Sequence, residues 1–247
     1  MFKPTKEHAD TPSRLGLPPP SEFFVESGGA TLHSWFFETD HSSATVFFVH
    51  GNAGNIADRL KVIKGYLKLG LNVFIFDPRG YGKSDGRPAP KAFIQDAFSA
   101  YSHLTEKIGI DPSKIIILGQ SLGGVPAVRI ASEKKCAGLV LEGTFASVRL
   151  LVKDLIPFPP IWVFVTPVLD NLREIKKIAV PVLIIAGEND ETIPPINSRR
   201  LYETAPEPKE LLIVAGALHT DMYAKSPDVY FGAWSRFVKQ TVYNRAG

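Results

Sequence analysis

The distribution of apolar residues predicts strands that alternate with helices along most of the chain. Short, nearly continuous apolar runs rich in β-branched residues are typical of strands covered on both faces. These runs are Thr45–Val49, Asn72–Phe76, Ile115–Leu118, Gly138–Leu141, Val180–Ala186 and Glu210–Val214. Helical spacing of apolar residues predicts a helix that begins near Ile56 and further helices at Pro90–Ile108, Val125–Lys135, Pro194–Tyr202 and Pro227–Val242. This alternation predicts an α/β fold with a mostly parallel sheet and helices on both of its faces.

The N-terminal region has a different pattern. Residues 1–20 are polar and end in three prolines, so we expect an extended arm that lies on the domain. Two segments, Glu22–Glu26 and Thr31–Glu38, flank the pair Gly28-Gly29 and predict an antiparallel hairpin. We therefore expect one domain over residues 21–247, built on a sheet of about eight strands.

The alternation is interrupted between Gly143 and Val180. Prolines break the pattern there, and the neighbouring apolar residues have no evident strand partner. We expect a short cap inserted at residues 144–178, and two interpretations of its apolar side chains are open. They form either the core of a packed helix pair or a wall that binds aliphatic acyl chains. These side chains are Leu155, Ile156, Phe158, Ile161, Trp162 and Phe164.

Composition narrows the functional classes. The net charge is only +3, from 28 basic and 25 acidic residues, with no long block of like charge, so we expect no nucleic-acid partner. The single cysteine, Cys136, excludes an intramolecular disulfide, and we expect it to be buried. The sequence has no apolar run of membrane-spanning length and no signal-peptide pattern. We expect a soluble, cytoplasmic chain; a lipid or membrane-surface contact and an upstream membrane anchor stay open.

One serine lies in a pattern that is typical of a catalytic nucleophile. A β-branched run ends in Gly119-Gln-Ser121-Leu-Gly123, and a segment that favours a helix follows. Strand, sharp turn and helix around Gly-x-Ser-x-Gly form a nucleophile elbow. The turn places the serine in a strained backbone conformation, and Gly119 and Gly123 are small because neighbouring backbones pass close to them. We therefore predict that Ser121 projects from the end of its strand.

A serine nucleophile needs a base, and the chain has six histidines. His219 follows the last predicted strand and lies at the same sheet edge as Ser121, so it is the favoured base. His50 is the alternative, because it also ends a buried strand, but it leads directly into a glycine-rich loop. The other four lie in polar sequence where we expect solvation (His8, His41), on an early strand (His33) and within a helix (His103).

The base needs an acid that orients it. Asp190 follows a buried strand, and the order Ser121…Asp190…His219 is the one expected for an elbow-type hydrolase. Glu188 and Glu191 are neighbouring alternatives, for which we favour solvation. Asp77 also ends a strand, but the Pro-Arg-Gly sequence after it favours a role in a structural turn.

The loop after Val49 is the candidate for half of an oxyanion hole. Two N–H groups are needed, and we assign them to Leu122 and Asn52, with Ala53 as the alternative to Asn52. The loop lacks the ending of a P-loop and the spacing of a dinucleotide site, and we expect His50 to shape it. We predict a substrate pocket lined by Tyr81, Phe145, Phe158 and Trp162. The sequence shows no metal-ligand cluster and no cofactor fingerprint, so we expect neither a metal nor a cofactor.

Four ordered motifs together resemble a known family. They are His50–Asn55, Asp77–Ser84, Gly119–Gly124 and Gly187–Asp190 with its following Ile193-Pro194. In nearly its whole length the chain is similar to the serine α/β-hydrolases of the Bem46/ABHD13-like group. The resemblance implies an α/β-hydrolase fold, a triad of Ser121, Asp190 and His219, and hydrolysis of acyl esters. Pro78 departs from the family, where an aromatic residue is more common. Many members carry a membrane anchor upstream.

We therefore expect a serine hydrolase that cleaves a small-molecule acyl substrate, as a carboxylesterase, a lipase-like enzyme or a thioesterase. Two alternatives stay open. A serine peptidase or amidase would use the same triad and oxyanion hole. A non-catalytic binding protein would retain the fold without the chemistry.

Overall fold

A computed structural model describes residues 2–156 and 169–243. Ten strands occur in these residues: β1 (Lys3–Pro4), β2 (Ser21–Ser27), β3 (Ala30–Phe37), β4 (Ala44–Val49), β5 (Ala53–Gly54), β6 (Leu71–Phe76), β7 (Ile115–Gln120), β8 (Gly138–Glu142), β9 (Val182–Gly187) and β10 (Lys209–Val214). Eight of them form one sheet in the order β10-β9-β8-β7-β4-β6-β3-β2. The first six strands in this order, from β10 to β6, are parallel to one another. Strands β3 and β2 extend the sheet as an antiparallel hairpin at one edge. The predicted hairpin and the mostly parallel sheet are confirmed.

Helices cover both faces of this sheet, as predicted. They are α1 (Leu60–Lys68), α2 (Pro90–Ser102), α3 (Gly124–Glu133), α4 (Val148–Leu155), α5 (Asn171–Ile175), α6 (Ile196–Thr204), α7 (Met222–Lys225) and α8 (Pro227–Val238). Helices α1 and α8 contribute to the hydrophobic core on one face, and α2, α3, α5 and α6 contribute to the core on the other. The sheet is therefore the middle layer of three.

Strand β4 shows why its sequence is apolar without alternation. Phe47 and Val49 belong to the core on one face of the sheet, whereas Val46 and Phe48 belong to the core on the opposite face. All four are buried, and each large apolar side chain contributes about 1.5–3 kcal/mol when it leaves water. A continuous apolar run is thus the pattern of a strand between two helical layers.

Two of the predicted α-helices end before the apolar pattern that predicted them. The α-helix predicted over Pro90–Ile108 ends at Ser102, and His103–Lys107 continues as a π-helical segment. Helix α8 likewise gives way to a π-helical segment, Lys239–Tyr243. Apolar spacing alone does not distinguish a π-helical turn from an α-helical turn, because the segment buries the same face in both cases.

The N-terminal arm is attached to the domain more closely than its polar sequence predicts. Strand β1 pairs in parallel with β5, which belongs to the loop after β4. Farther along the arm, the prediction that His8 is solvated is wrong. Its ring lies 5.5 Å from the ring of His33 and 5.1 Å from that of Trp35, so aromatic side chains of β3 cover it.

The region predicted as a cap contains α4 and α5, which an isolated bridge between Ser147 and Asp170 brings together. Residues 157–168, with Phe158 and Trp162, lie outside the described residues. The division into arm, domain and cap stays a prediction. Across residues 2–156 and 169–243, no helix has both the length and the apolar character needed to cross a membrane.

Candidate active site

Ser121 lies at the sharp turn between β7 and α3. Its φ of +53° is left-handed, a conformation that costs a non-glycine residue about 1–2 kcal/mol. The turn requires glycines on both sides. A Cβ on Gly119 would lie 2.6 Å from Cβ of Ala127, and one on Gly123 would lie 2.0 Å from the carbonyl oxygen of Val49. The predicted elbow geometry is confirmed: the serine is strained, and its flanking glycines are needed for close packing.

His219 and Asp190 lie in line with this serine. Nδ1 of His219 is 2.6 Å from Oδ2 of Asp190, and Nε2 of His219 is 3.1 Å from Oγ of Ser121. A carboxylate only accepts hydrogen bonds, so Nδ1 carries the proton in the neutral ring and donates it. Nε2 then presents a lone pair to the serine hydroxyl. The structure brings together the three residues that the sequence predicted as nucleophile, base and acid.

The carboxyl group of Asp190 is held rigidly. Its Oδ1 accepts hydrogen bonds from the backbone N–H groups of Thr192 at 2.9 Å and Ile193 at 2.8 Å, which leaves Oδ2 for the imidazole. Asp190 is buried, whereas Glu188 and Glu191 are exposed. A buried carboxylate in a fixed orientation can keep one tautomer of the histidine in place.

The loop after β4 passes directly over Ser121. A Cβ on Gly51 would lie 3.1 Å from Cβ of Ser121. Nδ1 of His50 donates a hydrogen bond to the carbonyl oxygen of Gly51 over 2.8 Å. In a trans peptide the C=O and N–H bonds point in opposite directions, so the N–H of Asn52 points away from His50. His50 therefore shapes this loop, as expected, and lies outside the line of Ser121, His219 and Asp190.

The second predicted oxyanion donor follows Ser121 in the chain. Leu122 is buried in the first turn after β7, where backbone N–H groups have no partner within the helix. Asn52 and Leu122 thus belong to the two backbone segments that flank the serine. Their role as the two donors of an oxyanion hole stays a prediction.

Known proteins share this architecture. A family model for the α/β hydrolase fold matches residues 44–167. The chain is 32% identical to the α/β hydrolase domain-containing protein WAV2 of Arabidopsis thaliana, over 96% of this chain and 83% of that protein. The chain belongs to the α/β-hydrolase fold family. It is also 33% identical to an uncharacterised membrane protein of Saccharomyces cerevisiae, over 81% of this chain and 73% of that protein.

A solved structure shows the same hydrolase fold at lower identity. The Pyrococcus furiosus esterase Pf2001 superimposes with a TM-score of 0.79 at 23% identity, covering 98% of this chain and all of the esterase chain. The eight-stranded sheet and its flanking helices are therefore those of an α/β-hydrolase.

Behind the nucleophile lies a buried polar network that sequence reasoning missed. Gln120 donates a hydrogen bond from Nε2 to Oε1 of Glu142 over 2.8 Å, and the hydroxyl of Tyr230 donates to Oε2 of the same carboxyl. The hydroxyl of Tyr66 lies 2.6 Å from that of Tyr230. These side chains are almost fully buried. A glutamate that ends a strand beside the elbow strand was the signal available in the sequence.

The two described residues of the predicted pocket are both buried. Tyr81 donates its hydroxyl hydrogen to the carbonyl oxygen of Asn52 over 2.9 Å, and burial raises its pKa to about 12. Phe145 packs in the core, and its carbonyl oxygen accepts a hydrogen bond from Nδ2 of Asn171. Phe158 and Trp162 fall outside the described residues. Contact of any of these four side chains with a substrate stays a prediction.

A cleft of about 380 Å³ lies near the elbow. Gln120, which precedes the nucleophile, and Thr220, which follows His219, are among its walls. Ala53 and Gly54, from the loop over Ser121, line another side. The cleft therefore borders the chain neighbours of the nucleophile and the proposed base, whereas Ser121 and His219 themselves are not among its walls.

Proposed function

We propose that this chain is a serine hydrolase that cleaves acyl esters through an acyl-enzyme intermediate. The observation that carries the proposal is the continuous path from Asp190 Oδ2 to His219 Nδ1 at 2.6 Å and from His219 Nε2 to Ser121 Oγ at 3.1 Å. A hydroxyl is a weak nucleophile until a base removes its proton, and the short distance from His219 to Ser121 supports His219 as that base.

In the first half of the reaction, His219 takes the hydroxyl proton of Ser121 as Oγ attacks the acyl carbonyl carbon. The N–H groups of Asn52 and Leu122 donate hydrogen bonds to the oxyanion that forms. The bond to the leaving oxygen breaks, and His219 gives its proton to that oxygen. An alcohol leaves, and the acyl group stays on Ser121.

In the second half, water replaces the alcohol. His219 removes a proton from the water as it attacks the acyl-enzyme, and the same two N–H groups stabilise the second oxyanion. The bond to Ser121 Oγ breaks, and Oγ recovers its proton from His219. The carboxylic acid product leaves. Asp190 stays ionised throughout and stabilises the imidazolium that forms in each half.

Two similarities to known proteins support an acyl substrate of the ester class. The motifs of this chain are similar to those of the Bem46/ABHD13-like group, whose members include esterases and lipid or thioester hydrolases. The Pyrococcus furiosus protein that shares the fold is named an esterase. The exposed apolar side chains at the end of α4, Leu155 and Ile156, are compatible with an acyl chain as part of the substrate.

The proposal is tested by covalent labelling with a fluorophosphonate, which reacts with an activated serine. We expect one label per chain, located at Ser121. The variant Ser121→Ala is expected to lose the label and to hydrolyse a short p-nitrophenyl ester about 10⁴-fold more slowly. The control Ser132→Ala, at the far end of α3, is expected to keep both. Equal hydrolysis by Ser121→Ala in a clean preparation would refute the assignment.

A peptidase or amidase is the alternative within the same chemistry. Esters and aminoacyl-anilides with the same acyl group separate the two, because they differ only in the leaving atom. We expect the ratio of kcat/KM between the ester and the anilide to exceed the ratio of their uncatalysed hydrolysis rates. A preference for the anilide would assign the chain to the peptidases, and labelling of neither wild type nor variant would assign it to the binding proteins.

A further inference from the structure

A second cluster of chemically active side chains lies behind the loop that covers Ser121. His8 comes from the N-terminal arm, His33 from β3, and Asp77 directly follows β6. Nε2 of His8 lies 3.7 Å from Oδ2 of Asp77, and Nδ1 of His33 lies 3.8 Å from the same oxygen. All three atoms lie within 4.8 Å of one another. The side chains of His33 and Asp77 are fully buried, and that of His8 is 14% exposed.

The atoms that face one another have no hydrogen-bond partner. In the described part of the chain this is true of Nε2 of His8, Nδ1 of His33 and Oδ2 of Asp77. The distances of 3.7 and 3.8 Å are too long for hydrogen bonds. A buried polar atom without a partner is destabilising, and native structures contain few of them. Three such atoms around one point therefore indicate a group that binds between them.

The hydrogen bonds of the histidines define the charge that this group must have. Nε2 of His33 lies 2.5 Å from Oε1 of Glu22, to which it donates, so the neutral ring has a lone pair on Nδ1. That lone pair faces Asp77. His50 repeats the arrangement: Nδ1 donates to Gly51, and Nε2 lies 3.4 Å from Oδ1 of Asp77. Lone pairs that face a carboxylate repel it, so a positive charge is needed among them.

The backbone around these side chains fixes their positions. The N–H of Asp77 donates to the carbonyl oxygen of His33 over 2.8 Å. Ser84 joins the same two residues, since its Oγ accepts from the N–H of His33 and donates to the carbonyl oxygen of Asp77. Oδ1 of Asp77 accepts from the N–H of Ile56, which orients Oδ2 toward the histidines.

We propose that His8, His33 and Asp77 bind a divalent transition-metal ion, with Zn²⁺ as the best match. Two imidazole nitrogens and one carboxylate oxygen are a ligand set that zinc uses in proteins. Ligand atoms at about 2.0–2.2 Å from a tetrahedral ion lie roughly 3.3–3.6 Å apart, so the distances of 3.7 and 3.8 Å from Oδ2 of Asp77 to the two imidazole nitrogens need to shorten by only a few tenths of an ångström. The contact of His33 with Glu22 is the outer carboxylate that commonly orients a metal-bound histidine.

Gly82 keeps space open beside the proposed ion. A Cβ there would lie 2.0 Å from Oδ2 of Asp77 and 3.1 Å from Nε2 of His8, the two ligand atoms. A side chain at this position would therefore displace both. Gly82 also has a φ of +44° and donates its N–H to the carbonyl oxygen of Thr5, which fixes the arm close to the site.

The ion would fasten the N-terminal arm to β3 and to the end of β6, and the arm in turn contacts the loop over the nucleophile. His8 is the ligand from the arm, and the same arm pairs through Lys3 and Pro4 with the loop residues Ala53 and Gly54. Nδ2 of Asn55, in that loop, donates to the carbonyl oxygen of Glu7 over 2.7 Å. Metal binding would thus stabilise the segment that carries Asn52. No metal site was expected from the sequence, because the three ligands are far apart in it and follow no metal-binding motif.

The test measures zinc binding directly, with tag-free protein that has been stripped with a chelator and dialysed. Titration against a chromophoric chelator is expected to show one Zn²⁺ per chain, and the Tm is expected to rise as Zn²⁺ is added. Co²⁺ in place of Zn²⁺ is expected to give the visible absorption of a tetrahedral site. His8→Ala and His33→Ala are expected to weaken binding by more than about 100-fold. The control His41→Asn, at an exposed histidine with a φ of +58°, is expected to bind like the wild type.

A second pair of variants tests the outer carboxylate. Glu22→Gln is expected to weaken binding by about 10- to 100-fold, and Glu26→Gln, exposed on the same strand, is expected to have no effect. His8→Ala changes a partly exposed residue of the arm, so it stays informative if His33→Ala does not fold. Wild-type protein that binds Zn²⁺ no more tightly than His8→Ala would overturn the proposal. Protons on the imidazoles would then supply the positive charge.

Discussion

The hydroxyl of Tyr81 donates a hydrogen bond to the carbonyl oxygen of Asn52, and this bond joins the loop after β6 to the loop that covers Ser121. The backbone N–H of Lys3 donates to the same oxygen over 2.8 Å. Two donors thus fix one peptide of the proposed oxyanion loop. Tyr81 is fully buried, so it acts through the position of this loop and is a positioning residue.

Replacement of Tyr81 by Phe is expected to lower kcat on a p-nitrophenyl ester by about 2- to 10-fold, with little change in KM. The loss of one hydrogen bond costs about 0.5–1.5 kcal/mol, and here it loosens the peptide next to the N–H of Asn52, a donor that we expect to work mainly in the transition state. The matched control is Tyr101→Phe, because Tyr101 is also buried and donates to a backbone carbonyl, that of Lys135. Both variants should lose similar stability in urea unfolding. A normal kcat in Tyr81→Phe would remove Tyr81 from this role.

Replacement of Asp190 by Asn is expected to lower kcat by about 10⁴-fold without loss of the fold. An amide can donate to Nδ1 of His219, which moves the ring proton to Nε2, where it faces Ser121 and prevents general-base catalysis. The control is Glu191→Gln, an exposed neighbour that was an alternative acid, and its rate should be unchanged. A large loss of kcat in Glu191→Gln, together with an active Asp190→Asn, would assign the role of the acid to Glu191.

The sheet and the three proposed catalytic residues were predictable for the same physical reason. In a parallel sheet, the residues that follow the strands meet at one edge, so the sequence alone predicts that Ser121, Asp190 and His219 are neighbours. Continuous apolar runs such as Phe47–Val49 identified the strands, because both faces of the sheet are covered. Position then favoured His219 over His50, because His50 leads directly into a glycine-rich loop whereas His219 follows the last predicted strand.

Contacts between distant polar residues were not predictable in this way. The pairing of β1 with β5 involves only Lys3–Pro4 and Ala53–Gly54, too short for a periodic pattern. His8 lies in polar sequence, yet aromatic rings of β3 bury most of it. The contact of Tyr230 with Glu142 joins α8 to β8. Each of these contacts depends on how the fold positions two distant segments. The sequence of either segment alone does not specify that position.

The buried pair Tyr66 and Tyr230 is expected to make the protein sensitive to alkali. Burial, together with the charge of Glu142, raises the pKa of both phenols well above 10 in the folded chain. The unfolded chain ionises its tyrosines near pH 10, so their contribution to stability is complete below about pH 10 and is lost as the pH rises further. Each phenol should increase the decline in the free energy of unfolding by at most about 1.4 kcal/mol per pH unit.

Urea unfolding between about pH 8 and pH 11 measures this decline. Tyr66→Phe is expected to flatten it, because the phenylalanine has no proton to lose while Tyr230 keeps its bond to Glu142. Tyr81 and Tyr101, whose pKa values burial also raises, contribute equally to both proteins. The control Tyr202→Phe, on α6, should keep the wild-type slope. The same slope in Tyr66→Phe would mean that water reaches this phenol.

The length of the acyl chain is the remaining question about the proposed substrate, and one described residue bears on it directly. Leu218 precedes His219 and is 54% exposed, so a large apolar side chain lies uncovered next to the proposed base. Its backbone is fixed, because its N–H donates to Oδ1 of Asp221 over 2.6 Å. An aliphatic chain that packs on this side chain would gain about 0.8 kcal/mol for each buried methylene, or roughly fourfold in kcat/KM.

We therefore expect kcat/KM to rise from acetate to medium-length p-nitrophenyl esters. Leu218→Ser should reduce this rise while leaving the acetate rate unchanged, because an acetyl group has no further methylenes that could pack on the side chain at position 218. Val229→Ser is the matched control, since Val229 is similarly exposed at 51% but lies on α8. A steady fall in kcat/KM from acetate upward would exclude an apolar acyl site. The packed-helix interpretation of the cap would then be favoured.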